Sequence, residues 1–128
     1  MGNENKSERY AVLITTEGVA KIIPCDHGET MQLKTLQELV GGPIEILPNF
    51  DKADSTLLIC NEEALLEEPL PPVNWTAWLM SPLGEGNYIY GPVVLMQAED
   101  EELVGYMLDE AERTVREWLY DDEDDDDG

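Results

Sequence analysis

Basic residues are scarce in this chain, with seven Lys and Arg among 128 residues. Binding to DNA, RNA or an anionic membrane surface needs clustered cations, so direct contact with all three is excluded. Cysteine is also sparse. Cys25 and Cys60 stand far apart with no CxxC spacing, which excludes a disulfide scaffold and reads as two free thiols in a reducing compartment. The one histidine, His27, has Cys25, Asp26 and Glu29 around it, the donor types of a zinc site. Residues this close on one loop cannot close a tetrahedron and no second cluster completes the set, so neither metal nor cofactor is expected. A Cys–His nucleophile pair fails similarly for want of an oxyanion element. Gly41-Gly42 and Gly84-x-Gly86 lack the strand–loop–helix setting of phosphate loops. No apolar run approaches the roughly 18 residues of a membrane span. The polar start is no signal peptide, and Met1-Gly2 does not complete an acylation signal. A cytoplasmic protein, without catalytic residues and without membrane contact, is the expectation.

Acid is what the chain has in excess. Asp and Glu number 29, for a formal net charge of -22, and residues 99–128 carry 15 of them against Arg113 and Arg116. Self-repulsion of this size works against a compact fold, so a chain that keeps it usually uses it. Wholesale salt adaptation fits poorly with four lysines, free cysteines and a mixed aliphatic core. Apolar residues make up 42% of the chain, enough to fill one domain core.

Periodicity gives an element order. Tyr10–Thr15 and Val19–Ile23, joined by Thr16-Glu17-Gly18, predict a β-hairpin. From Thr30, the positions Met31, Leu33, Leu36, Leu39 and Val40 follow a helical period. Gly41-Gly42-Pro43 predicts the helix stop, with a positive φ at a glycine. Strands are expected at Ile44–Pro48 and Thr56–Cys60. Asn61-Glu62-Glu63-Ala64 reads as a helix start, with Leu65 and Leu66 covering core, and Asn74–Met80 as a second short helix. Tyr88–Met96 reads as a strand made irregular by Gly91-Pro92. A long helix from about Asp100 to Tyr120 is expected to bury Leu103, Val104, Met107, Leu108, Ala111, Val115, Trp118 and Leu119. Residues 1–120 then form one α+β domain: a small single-layer mixed or antiparallel sheet with hairpins, packed by two short helices and one long C-terminal helix. Residues 121–128 read as a disordered acidic tail.

Two sets of residues are candidates for function. The first is an acidic partner-binding surface of Glu99, Asp100, Glu101, Glu102, Asp109, Glu110, Glu112 and Glu117, continued by Asp121, Asp122, Glu123 and Asp124. An extended tail spaces its charges by about 3.3 Å per residue, close to the roughly 3.4 Å between phosphates on one DNA strand. A solvated helix face with a solubilising tail explains the same residues. The second set is a possible ligand site at Asn61, Glu62, Asn74, Trp75 and Trp78, although Trp75, Trp78, Trp118, Tyr88, Tyr90 and Tyr106 also read as core or core rim.

Three ordered motifs resemble one small family. They are Leu36-Gln37-Glu38-Leu39-Val40-Gly41-Gly42-Pro43-Ile44-Glu45, Cys60-Asn61-Glu62-Glu63-Ala64 with Leu70-Pro71-Pro72-Val73-Asn74, and Ile89-Tyr90-Gly91-Pro92-Val93-Val94. The family is the domain of unknown function 3846, and the resemblance covers about residues 10–98, with residues 99–128 as an extension beyond it. It implies phages, plasmids and other mobile elements as context, some members lying beside antirestriction modules, and supplies no catalytic residues. With the charge, this leads to a non-enzymatic protein that binds and inhibits a host protein bearing a basic or nucleic-acid-binding surface. The alternative is a protein that sequesters a small nucleotide signal. A homo-oligomer is compatible with either.

Overall fold

The computed structural model describes residues 8–48, 56–80, 88–99 and 102–119. The predicted hairpin forms as β1 (Tyr10–Ile14) and β2 (Ala20–Pro24), paired from Tyr10 opposite Pro24 to Ile14 opposite Ala20. Thr15 organises the turn, its hydroxyl accepting the N–H groups of Glu17 and Val19. Helix α1 (Leu33–Val40) follows, then β3 (Ile44–Pro48) and β4 (Thr56–Asn61). A 3₁₀ turn at Ala64–Leu66 and helix α2 (Trp75–Met80) lead to β5 (Val93–Glu99), β6 (Glu102–Val104) and helix α3 (Leu108–Leu119).

The strands make one antiparallel sheet in the order β2-β1-β5-β4-β3, with β6 also paired to β5. This is the expected α+β class, and every described pairing is antiparallel. Gln97 of β5 pairs with Thr56 of β4 and with Val104 of β6, so β6 shares the β1 side of β5. Alternation of side chains along each strand gives the sheet two apolar faces. On one, Val12, Ile14, Leu58, Cys60, Val93 and Leu95 pack with Ala77 of α2, Ala111 of α3 and Tyr106. On the other, Ala11, Ile59, Val94 and Met96 pack with Met31 and with Leu36 and Val40 of α1. β5 is apolar on both faces because helices cover both.

Helix α1 stops where expected. Gly41 takes φ +96° and its N–H bonds the Gln37 carbonyl at 2.8 Å, a left-handed C-cap that a side chain would strain. Gly42 is needed for space instead: a Cβ there would lie 2.7 Å from Asn61 Oδ1. Gly91, at φ +86°, separates Tyr90, which bridges Val73, from the start of β5. The strand expected at Tyr88–Met96 is thus displaced toward the C-terminus.

Two expectations are corrected. The long helix from Asp100 begins eight residues later, at Leu108, because Glu102, Leu103 and Val104 pair with Glu99, Ala98 and Gln97 as β6. Sheet hydrogen bonding to β5 outweighs the helical spacing of the apolar residues. Val104 and Ala111 are buried as expected, whereas Met107 and Leu108, at the α3 entrance, are exposed. The helix expected from Asn61 shortens to the 3₁₀ turn, which leaves Leu65 and Leu66 exposed rather than over the core. The predicted acidic tail, residues 121–128, and the Gly84-x-Gly86 segment lie outside the described residues.

Candidate functional site

Asp26 and His27 show what became of the sequence's metal-like cluster. Asp26 Oδ1 accepts the Gln32 N–H at 2.9 Å and its Oδ2 accepts the Thr35 hydroxyl at 2.6 Å, which caps the entrance to α1. These bonds, that from Thr35 foremost, hold the Asp26 carboxyl below its ordinary pKa. His27 exchanges both backbone hydrogen bonds with Thr30. Among the described residues no group of three His, Cys, Asp or Glu is placed to hold a metal ion.

Of the two thiols, Cys60 is buried and Cys25 half-buried. Burial, with the negative charge of Asp26 next, pushes Cys25 up to about 11, and burial, with Glu45 next, pushes Cys60 up to about 12. Thiolate is the reacting species, so neither cysteine of the native protein should be alkylated by iodoacetamide at pH 7.5, and both should react once unfolded. The same shifts predict that stability falls as pH rises from about 9, the ordinary thiol value, toward 11. There the unfolded chain has released protons that the folded chain still holds. Rapid native alkylation, or a flat stability profile across that range, would contradict this burial.

The acidic surface divides by what its members already do. Glu99 and Glu102 stand directly opposite each other on β5 and β6. Arg9 reaches Glu99 at 3.8 Å and Glu29 at 3.7 Å. Glu110 accepts the Met107 N–H at 3.2 Å, as in a capping box, and Asp109 shares the first turn of α3, where the helix dipole favours acids. Glu102, Asp109 and Glu112 are exposed, the last two a turn apart on one side of α3. Glu117 falls in the final turns of that helix. Asp100, Glu101, Asp121, Asp122, Glu123 and Asp124 lie outside the described residues.

The proposed ligand residues do not converge on one opening. Asn74 is wholly buried and its amide is used internally, with Nδ2 donating to the Ile14 and Gly91 carbonyls at 3.0 Å each and Oδ1 accepting the Ala77 N–H at 3.1 Å. It is a helix N-cap that also ties α2 to the sheet. Asn61 accepts the Glu63 N–H at 2.8 Å and donates to Glu67 at 3.0 Å. Trp75 and Trp78 pack edge-on, centroids 6.1 Å apart, and Tyr88 lies 5.4 Å from each. Trp75 and Leu79, one turn apart on α2, are both more than half exposed.

An opening does exist nearby, on the face of β3 and β4 away from α1. It holds about 160 Å³, with Leu47 and Cys60 on its sheet side and Ala64 and Leu65 of the 3₁₀ turn beside them. Tyr88, Ile89 and Tyr90 line it from another stretch of chain, and Glu45, Asn61 and Glu62 also border it. Of the expected ligand residues it gathers Asn61 and Glu62. Glu45, Tyr88 and Tyr90 are additions that no local motif announced, because three separate stretches build the cleft.

The model of a family described as "Domain of unknown function (DUF3846)" matches residues 9–118. The match extends through β6 and most of α3, so these acidic elements belong to the shared domain and not to an extension starting at residue 99, as the motifs alone implied. No curated protein and no solved structure matches the chain.

Proposed function

We propose that this chain, which belongs to the DUF3846 family, is a non-enzymatic binding protein that captures a basic partner protein through its acidic surface. The observation that carries this reading is the placement of Glu99 and Glu102 directly opposite each other on β5 and β6. Like charges facing across a strand pair cost stability, although Arg9 lies 3.8 Å from Glu99, and the exposed Asp109 and Glu112 on α3 add further negative charge. A function that needs negative charge explains why such a placement is kept. The partner class that fits is a host protein with a nucleic-acid-binding surface, among them the antiphage defence proteins that phages and mobile elements must inhibit. The chain would then occupy that surface in place of DNA or RNA. Sequestering of a nucleotide signal is the weaker reading, since an anionic ligand would meet Glu45 and Glu62 at the cleft and Asn74 is sealed inside.

Capture from host lysate at low and at high salt tests the proposal. Attraction between exposed charges is screened beyond a Debye length of about 8 Å at physiological ionic strength, so capture should weaken as salt rises. Glu102→Lys with Asp109→Lys and Glu112→Lys should slow association with the captured partner about tenfold or more, and DNA or RNA should compete for it. Equal capture of the partner in high salt by the charge-reversed protein would end this reading.

A further inference from the structure

The cleft between the β3–β4 face and residues 88–90 carries a charge imbalance. Glu45 and Glu62 are both exposed at its edge, and among the described residues lining it none is Lys, Arg or His. Glu45 is opposite Cys60 in the β3–β4 register, so its side chain leaves the sheet on the cleft side, and its charge helps raise the Cys60 thiol. Glu67, held by Asn61 at 3.0 Å, adds another carboxylate beside Asn61. The rest of the lining is apolar or aromatic. Tyr88 is held by Trp75 and Trp78, each with its ring centre within 6 Å of the tyrosine's, so this wall is formed before anything binds.

We propose that this cleft receives an arginine side chain presented by a basic partner protein. Charge complementarity chooses a cation, since two carboxylates with no cation among the described lining residues repel an anion. Shape chooses a side chain: about 160 Å³ falls below the roughly 300–1,000 Å³ of pockets for drug-sized ligands. Among cations, guanidinium suits the surroundings better than ammonium. It is planar, weakly hydrated, forks to carboxylates and stacks on aromatic rings, while its methylene stem covers apolar surface such as Leu47 and Leu65. The proposal rests on the reading of this chain as a binder of basic proteins and adds the place where one residue of the partner is recognised. The exposed acids of α3 attract at long range, and the cleft selects at contact.

Titration of the full chain with N-acetyl-arginine N-methylamide, followed by ¹H–¹⁵N correlation spectra, tests the site without a known partner. The expected result is a saturable set of shifts concentrated at Glu45, Cys60, Glu62, Tyr88 and Tyr90. Glu45→Gln with Glu62→Gln, both at exposed positions, should weaken the probe at least fivefold with melting temperature unchanged. The uncharged N-acetyl-norleucine N-methylamide should not saturate. Equal binding of the norleucine probe, or unchanged affinity in the double glutamine variant, would overturn the assignment. The E102K/D109K/E112K protein should bind the probe within about twofold of the parent, and loss of binding in it would likewise overturn a local site. A salt-insensitive capture result would instead remove the charge-driven docking reading while leaving the titration to stand, so the two failures are distinguishable.

Discussion

Asn74→Ala should lower the free energy of unfolding by about 3 kcal/mol, measured by urea or guanidinium denaturation. Its amide donates to two carbonyls on different segments, Ile14 at the end of β1 and Gly91 before β5, and accepts the Ala77 N–H of α2. The residue is completely buried, so water cannot replace what alanine removes. Stranding a buried polar group costs about 1–3 kcal/mol, and loss of an N-cap about 1 kcal/mol, within a total stability of about 5–15 kcal/mol. Asn74→Asp should be worse. It keeps the cap acceptor but sets carboxylate oxygen against two carbonyl oxygens in a dry interior. A cost under 1 kcal/mol for Asn74→Ala would show that this three-way tie is not what fixes α2. The same geometry makes Asn74 a poor probe of ligand binding, since its loss would impair any activity through the fold.

Gly105→Ala should cost about 3 kcal/mol as well, for the opposite reason: too many atoms instead of too few. A Cβ at Gly105 would stand 2.6 Å from Cys25 Sγ and 2.9 Å from both the N and O of Tyr10. The sulfur could rotate away, but the Tyr10 backbone is fixed by reciprocal 2.8 Å hydrogen bonds with Tyr106. Gly105 is itself held, donating to the Glu29 carbonyl at 2.8 Å and accepting from Arg9 at 3.0 Å and Gln97 at 3.3 Å. Placing Gly105→Ala in a Cys25→Ala background separates the two obstacles. Recovery should be partial at best, and full recovery would assign the whole effect to the thiol.

Local pattern carried much of the fold into view. The β1–β2 hairpin was legible because its turn chemistry lies between two β-rich runs, and the end of α1 because Gly41 has few conformational substitutes. The stretch 98–108 was not. Leu103, Val104, Met107 and Leu108 satisfy a helical period, but pairing of β6 with the neighbouring β5 and of Tyr106 with the distant Tyr10 draws Leu103, Val104 and Tyr106 into extended backbone and delays the helix to Leu108. The helix expected after Asn61 shortened for a related reason. Asn61 itself belongs to β4, and its side chain turns back to the Glu63 N–H and to Glu67 instead of starting an α-helix. As for function, excess acid was visible at once, but a cleft made by Glu45, Glu62 and Tyr88 has no spacing in the sequence by which to recognise it.

The position of β5 has a consequence for how the chain reaches its fold. β1 meets β5 by pairing Val12 with Leu95, partners about 80 residues apart, and β4 meets the other side of the same strand. Until β5 arrives, the hairpins β1–β2 and β3–β4 are two separate ribbons, each with an open apolar edge on β1 or β4. Pairings of such long sequence separation form slowly, because loop-closure entropy is spent before contacts repay it. Open strand edges are where unfinished chains stick to one another. Twenty-nine acids guard that interval, since chains with a net charge of -22 repel each other before any of them has completed its sheet. Charge that opposes compactness in the finished protein thus keeps its folding solitary.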